Sequence, residues 1–313
     1  MTYAQFGTVS ASDYNTLVGG NPTTTSNTLN AVWATGGAAA GYGQPALSNL
    51  TAGTTVAASD WANLVSKTSN SASHQGSSIT AVTAPTSGGT ITYLSAIPSN
   101  LTTIYSNKLN AATQGSTTAN GSARATTWAS SITFTYTANF ANGDAARYFF
   151  NSGGQIKFTF SQPTGTALAN SYGTLATACG TLVVSGGSAT IASTSYTPFT
   201  KVGGSGSPST YLTANGYYQF STANTTIFSQ STGSPTGYTT SSINLVAKTN
   251  GTQGTNSDNG NVLTFYSVWA ESPSSGATVT AGANVAMTIV YPESTYIANT
   301  WGTVTTTTTV TGS

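Results

Sequence analysis

Two matched acids are the first candidates for chemistry in this 313-residue sequence. Residues 9–18 read VSASDYNTLV and residues 56–65 read VAASDWANLV, so Asp13 and Asp60 hold the same place in two similar segments. Two carboxylates can act as a general acid and a general base, as they do in glycosidases. Matched acids can also be one structural device that the chain uses twice.

The first segment fits the start of a helix. With Ser10 as the N-cap, Asp13 is the third helical residue, and S-x-x-D is a capping-box pattern. Val9 and Tyr14 then occupy the two positions of a hydrophobic staple, which fixes how the chain enters the helix. A carboxylate in the first turn also meets the positive end of the helix dipole.

The second segment repeats this arrangement with one change. Asp60 again stands at the third helical position, and Val56 and Trp61 take the staple positions. The expected N-cap is Ala57, whose side chain accepts no hydrogen bond, so only half of the box can form. We therefore predict two helix starts from a duplicated unit, in preference to a catalytic acid pair.

His74 is the only histidine and Cys179 the only cysteine. A Ser-His-Asp triad would have to use His74, but this residue lies in a polar stretch, SASHQGS, and no nucleophile-elbow sequence is present. We expect His74 to be a solvated loop residue. Cys179 begins an apolar run and is expected to pack as a small hydrophobic side chain.

The sequence context of the remaining acidic residues also indicates structural roles. Asp144 and Arg147 predict a short-range ion pair in a turn before a strand. Asp258 lies in a polar loop that lacks the twelfth-position acid of a calcium-binding loop. Glu271 and Glu293 follow strand candidates and form no recognisable pair. We predict no catalytic residue, no cofactor site and no metal site.

Composition excludes several classes of partner. Charged residues make up 4% of the chain, against about 25% in an average soluble protein. The formal net charge of +1 provides no basic patch for nucleic acid, so we expect no nucleic-acid partner. No apolar run approaches the roughly 18 residues of a membrane-spanning helix, and no signal peptide is visible at the start. Aromatic residues at 10% argue against disorder.

Short helices are predicted in the first 120 residues. Apolar residues recur at helical spacing in segments 26–34 and 97–112, and Ser99 is the expected N-cap of the second segment. The stretch 68–78 is expected to be a loop.

The pattern changes to strands from about residue 128. Residues 132–140 alternate strictly between apolar and polar, and about nine strand candidates follow one another between 130 and 292. Glycine-containing turns predict hairpins within 147–162, 180–194 and 211–221. The threonine-rich tail, 303–313, is either an added strand or a frayed end.

These patterns predict an α+β multidomain protein. A small helical N-terminal region, residues 1–120, is followed by an antiparallel β-sandwich of jelly-roll type, residues 121–313. The boundary is expected near residues 115–130, in the polar run that starts with 113–124, and one large domain is the alternative.

Residues 141–160 read ANGDAARYFFNSGGQIKFTF and contain the pattern D-x-A-R-Y-F-F-N-x-G-G-x-I followed by an alternating strand. The residues that match it are Asp144, Ala146, Arg147, Tyr148, Phe149, Phe150, Asn151, Gly153, Gly154 and Ile156. This segment resembles one that recurs in tail-fibre-like virion structural proteins of tailed bacteriophages. Residues 1–75 resemble modules of the same proteins. Beyond about residue 180 only the strand-and-turn character persists.

The resemblance implies a non-enzymatic virion protein of a tail or baseplate fibre that contributes to host attachment. Such a protein is made in the host cytoplasm, which agrees with the missing signal. A head-decoration or head-fibre protein is the alternative, and a carbohydrate-binding spike or adhesin is a third reading. The expected partners are other virion proteins, copies of the chain in a homotrimer, and a host surface glycan or protein. Loops 201–210 and 250–261 are expected to make such contacts.

Overall fold

The computed structural model describes residues 9–89, 95–231, 241–271 and 276–312. The opening residues 1–8, which contribute to the resemblance, therefore lie outside the described residues. The helices are α1 (Ala11–Val18), α2 (Leu29–Val32), α3 (Ala58–Gln75), α4 (Ala96–Ser106), α5 (Gly143–Asn151) and α6 (Ala167–Cys179), with one 3₁₀ turn at Tyr217–Gln219. The strands are β1 (Gln114–Ala123), β2 (Trp128–Ala129), β3 (Ser131–Asn139), β4 (Gln155–Ser161), β5 (Thr181–Val184), β6 (Ala189–Ile191), β7 (Thr194–Tyr196), β8 (Phe199–Val202), β9 (Thr210–Tyr211), β10 (Thr225–Ser231), β11 (Ser241–Thr249), β12 (Val262–Glu271), β13 (Thr278–Val279), β14 (Asn284–Pro292) and β15 (Thr305–Gly312).

Two antiparallel sheets make up most of the second half of the chain. One has five strands in the order β1-β14-β4-β5-β8, and the other has six in the order β15-β3-β12-β11-β10-β9. Two ribbons, β13-β2 and β6-β7, complete the described strands. The predicted fold class, a small helical N-terminal region followed by an antiparallel β-sandwich, is confirmed.

The sheets face each other across an aromatic core. Alternate residues of β3, β11 and β12 are buried, as period-2 patterning requires. The ring of Phe158 in the five-stranded sheet lies 4.9 Å from Phe265 and 6.1 Å from Tyr136, which belong to the six-stranded sheet. The Tyr136 hydroxyl also donates a hydrogen bond to the Val285 carbonyl of the opposite sheet.

The helical region packs on this sandwich. Leu29, Val32 and Trp33 are buried, as their helical spacing predicts. One contiguous hydrophobic cluster extends from Tyr14 in α1 to Val304 next to β15. The polar run 113–124, expected to be the boundary, is largely strand β1, which pairs with β14.

All three predicted hairpins are wrong. Residues 147–162 form the end of α5 followed by β4, and β5 pairs with β4 and β8 but not with β6. The hairpin near 180–194 is instead β6–β7, which turns at Ala192 and Ser193, both with positive φ. At Asn215 and Gly216 the chain enters the 3₁₀ turn, and Gly216 lies against the Ser185 carbonyl with no room for a side chain.

Two helix limits also differ from prediction. Helix α4 begins at Ala96 after Ser95, so Ser99 lies inside the helix and is not its N-cap. Helix α3 continues to Gln75, so the stretch 68–78 is mostly helical where a loop was expected. The tail forms β15 and extends the six-stranded sheet beside β3.

Candidate functional site

The capping box predicted for Ser10 and Asp13 is present at the start of α1. The Asp13 amide donates to the Ser10 hydroxyl at 3.2 Å, and the Ser10 amide donates to the Asp13 carboxylate at 3.0 Å. These Ser10 hydrogen bonds, first from its amide and then from its hydroxyl, lower the pKa of Asp13. Tyr14 is buried and Val9 packs against the core beside it.

Helix α3 begins with half of the same arrangement. The Ala57 amide donates to the Asp60 carboxylate at 3.0 Å, while Ala57 has no side-chain acceptor to return the bond. Trp61 is buried and Val56 is partly buried against the core. Burial and then the Asp60 charge raise the pKa of Tyr14 to about 12. Both acids therefore serve helix starts.

The segment that carries the virion-protein resemblance forms helix α5 followed by strand β4, where two strands of a hairpin were predicted. Asn142 caps α5 by accepting a hydrogen bond from the Ala145 amide at 2.8 Å. Asp144 in the first turn accepts from Arg147 at 3.0 Å, so the expected ion pair forms, within a helix and not in a turn before a strand. Asn142 and Asp144 were signals of a helix start that the aromatic run after them obscured.

Arg147 holds the helical region onto the sandwich. Its side chain is buried, and one guanidinium nitrogen donates to the Thr35 carbonyl at 2.8 Å and to the Ala40 carbonyl at 2.9 Å. The same side chain binds Asp144, so a single cation joins a carboxylate and two backbone carbonyls. Because buried polar groups require partners, this arrangement fixes the chain around residues 35–40.

Asn151 and Tyr218 continue this contact. The Asn151 amide group donates to the Gly41 carbonyl at 3.0 Å, and the Tyr218 hydroxyl donates to the Asn151 side-chain oxygen. Tyr148 lies so close to Gly43 that a Cβ on Gly43 would overlap its ring. We call residues 35–44, helix α5 and Tyr218 the helix–sandwich joint.

The remaining matched residues pack the joint into the core. Phe149 and Phe150 are buried, and Phe150 stacks on Tyr217 with ring centroids 4.4 Å apart. Gly153 has φ of +87°, and a Cβ on Gly154 would overlap Phe149. Each matched glycine therefore permits a close approach that a larger residue would prevent.

The loop 250–261 also packs against the joint. The Ser257 amide donates to the Asp144 carboxylate at 3.3 Å, and Gly143 lies directly against the Asp258 carbonyl. Within the loop, the Thr255 amide donates to Asp258 at 2.7 Å. The loop is part of the fold in this region, and its expected role in host contact stays a prediction.

His74 is not the solvated loop residue that the sequence suggested. It lies near the end of α3, is 3% exposed, and its Nε2 is 3.2 Å from the Ser152 carbonyl oxygen. Burial lowers the pKa of His74 to about 4, although the Ser152 contact and Glu293 oppose this shift. The Tyr42 ring packs edge-on against the imidazole, 5.2 Å away. His74 thus joins α3 to the end of α5 as a neutral side chain.

Sequence reasoning missed Tyr42 and Gln44 as organising residues. The Tyr42 hydroxyl accepts from Gln75 and donates to the Lys108 carbonyl, and Gln44 exchanges two hydrogen bonds with Ala298. The four glycines between residues 36 and 43 were the available signal, because glycine clusters mark close backbone approaches.

The other two candidate reactive groups, the Cys179 thiol and the Glu293 carboxylate, also have structural surroundings. Burial raises the pKa of the Cys179 thiol to about 12, which leaves little reactive thiolate. The Glu293 carboxylate accepts from the Thr295 hydroxyl and amide, both at 2.7 Å, and those bonds lower its pKa. Among the described residues, no group of three or more acids, histidines or cysteines could hold a metal ion.

Two open grooves lie on the surface of the described chain. One, about 820 Å³, runs along α6 and is lined by amides, hydroxyls and glycines, such as Asn170 and Thr177, with no titratable side chain. The other, about 510 Å³, contains Glu293 as its one acid. Neither groove brings together the two carboxylates that glycoside cleavage uses.

No protein-family model, curated protein or solved structure matches this chain. Within the described residues, no helix is both long and apolar enough to cross a membrane.

Proposed function

We propose that this protein is a non-enzymatic structural component of a tailed-bacteriophage particle, in a tail or baseplate fibre that contributes to host attachment. The observation that carries the proposal is the structural role of residues 141–160, the segment that resembles virion proteins. Asp144, Arg147 and Asn151, which carry the resemblance, take part in one structural joint, and the matched glycines Gly153 and Gly154 permit close packing directly after it. A motif used for packing is what a structural family would share.

The distribution of titratable groups supports a role without catalysis. Asp13 and Asp60 accept backbone hydrogen bonds at the starts of helices, and Asp144 forms an ion pair with Arg147. Asp258 and Glu293 accept backbone hydrogen bonds within turns. A general acid or base requires a group that reaches a substrate with a pKa near the working pH. These carboxylates are instead engaged by neighbouring donors.

The position of the tryptophans disfavours the carbohydrate-binding alternative. Trp33, Trp61, Trp128, Trp269 and Trp301 are each 6% exposed or less. Stacking on sugar rings requires an accessible aromatic face, which in the described chain leaves exposed tyrosines such as Tyr296 for that task.

Antibody labelling of intact particles, viewed in negative stain, tests the proposal. We expect label at the tail tip or baseplate, with particles lacking this gene as the control. Label on the head surface would support the head-fibre alternative and overturn the tail assignment. Label that binds the free protein but no intact or opened particle would contradict the proposal as a whole.

A second assay tests the absence of catalysis. Incubation of the purified protein with host surface polysaccharide should leave the polymer size distribution unchanged. A fall in polymer length that disappears in Glu293→Gln, while Thr295→Val retains it, would contradict this part of the proposal.

A further inference from the structure

The outer face of the six-stranded sheet lies open in the described structure. We define this face as the residues whose side chains point away from the core. They are every second residue of β15 starting at Thr305, of β3 starting at Thr133, of β12 starting at Val262 and of β11 starting at Ser242. These residues are half-buried or exposed, while their neighbours along β3, β11 and β12 are buried. Helix α6 contacts the opposite side of this sheet, where Tyr172 stacks on Trp269.

Strand register gives this face an apolar centre and a hydroxyl-rich border. Thr309, Thr135, Tyr266 and Val246 stand in one row across four strands. Val268 lies beside Tyr266 on β12, and threonines of β3 and β15 surround this centre on one side. Protein interfaces have the same organisation, with tyrosine enriched at the centre and a polar rim.

Charge on the face favours a copy of the chain as the occupant. Lys248 is the one charged residue among the outward residues of these described strands, and its ammonium lies 5.6 Å from the centre of the Tyr266 ring. A second copy would therefore meet no row of like charges. A nucleic acid or a strongly acidic protein would find only one cation to bind.

The area of this outer face is also of the order that a protein–protein interface requires. Four strands about 4.8 Å apart and about eight residues long cover about 510 Å², the same order as the roughly 800 Å² that each partner contributes to a standard interface. Face-to-face packing of sheets at about 10 Å is a common arrangement in β-proteins.

We propose that copies of this protein associate through the outer face of the six-stranded sheet. The inference rests on the proposed function, for which copies of the chain are among the expected partners, and it names the surface. A pair of sheets face to face, or three sheets around a common axis, would bury Tyr266, Val246 and Val268.

Light scattering on the purified chain tests this inference, with Thr135→Arg and Thr264→Arg combined as the disruptive variant. Both threonines point outward, so the charges can be accommodated in a folded monomer. The matched control is Thr159→Arg, an exposed outward position on β4 of the other sheet. We expect the wild type and the control to show the mass of a multimer and the double variant that of a monomer near 31.5 kDa.

A monomeric wild type at micromolar concentration overturns the inference, and so does a double variant with the multimer's mass. If the double variant fails to fold, as judged by circular dichroism, Thr135→Cys replaces it, and maleimide labelling reports burial in the multimer. Cys179 is buried and should remain silent in that assay. Rapid labelling at Thr135→Cys in a multimer would contradict the inference. The proposed function fails separately, if the chain is missing from particles.

Discussion

At the scale of single residues, Arg147 makes the most connected contact of the joint. It is buried, and it binds Asp144 as well as the Thr35 and Ala40 carbonyls. A lysine carries the same charge but offers one nitrogen instead of a planar fork of donors. Removal of the guanidinium would leave two carbonyls and a carboxylate short of a donor.

We therefore expect Arg147→Met to lower the free energy of unfolding by about 3–5 kcal/mol, with Arg147→Lys between that variant and the wild type. Urea denaturation followed by circular dichroism measures the difference. Arg124→Met is the control, because the half-buried Arg124 guanidinium donates to one carbonyl, that of Gly312, at 2.9 Å. Its loss should cost less than about 1 kcal/mol. Equal effects of the two methionine variants would contradict the role given to Arg147.

His74 predicts a defined pH dependence of stability. The folded-state pKa is about 4, against 6.5 for an unperturbed histidine. Between these values the unfolded chain binds a proton at His74 and the folded chain does not, so stability falls as the pH is lowered through this window. The full effect is about 3 kcal/mol, complete near pH 4 and absent above pH 6.5.

Denaturation of the wild type and His74→Gln at pH values of about 7, 5.5 and 4.5 tests this prediction. Glutamine keeps a side-chain nitrogen that can donate to the Ser152 carbonyl but does not titrate. The stability difference between the two proteins should therefore shift in favour of the variant as the pH falls. Parallel curves over this range would show that His74 is not held neutral by burial.

The two helix starts allow a comparison of a full and a half capping box. Asp13→Ala should lower stability by about 0.5–1 kcal/mol, because it removes a capping carboxylate and its interaction with the helix dipole. Ala57→Ser should stabilise α3, since it supplies the missing half of the second box. Thermal melting measures both changes. A lower melting temperature for Ala57→Ser would refute the second part.

These residues show how far the sequence could predict the site. The contact between Ser10 and Asp13 spans three residues, so a local pattern was sufficient to find it. Arg147 and Thr35 are 112 residues apart, and His74 and Ser152 are 78 apart. Such partners meet only through tertiary packing, which a polar stretch such as SASHQGS does not reveal.

At the scale of elements, the joint depends on the close approach of residues 35–44 to α5. Gly43 has φ of +69°, and a Cβ there would overlap the Tyr148 ring. Gly53 provides a matched control, because its φ is +85° and a Cβ at this position would meet open space, with nothing within 4 Å. An alanine at either position would pay the same free-energy cost for a left-handed backbone conformation. Only at residue 43 would its Cβ also collide with a neighbouring side chain.

We expect Gly53→Ala to cost about 1–2 kcal/mol from backbone strain. Gly43→Ala should cost about 1–3 kcal/mol more than that, because overpacking displaces Tyr148. Chemical denaturation of both variants measures the difference. Equal losses would mean that the contact between residue 43 and α5 is not tight.

Strict alternation in residues 132–140 was enough to predict β3. It failed at α5, because RYFFN is apolar and aromatic enough to fit a buried strand as well as a helix. The helix is decided by the Asn142 cap, the first-turn Asp144 and the placement of Ala146, Phe149 and Phe150 on one buried face. Helix α6 was missed although Leu168, Tyr172 and Leu175 recur at helical spacing.

At the scale of the whole molecule, stability rests on packing and neutral hydrogen bonds. One salt bridge, between Arg147 and Asp144, is found in the described residues. Because screening by salt weakens exposed charge pairs and leaves neutral hydrogen bonds largely unchanged, we expect little dependence of stability on ionic strength. Melting temperatures at low salt and in about 1 M NaCl should be similar for the wild type.

The central claim is that this chain is a structural component of a phage particle. Quantitative mass spectrometry of particles purified through two successive density gradients tests it most directly, with the major head protein as the internal standard. The account predicts that the chain co-purifies with the particles at a fixed copy number per particle, unchanged by a high-salt wash. Loss of the chain during purification, or a copy number that varies between preparations, would contradict it.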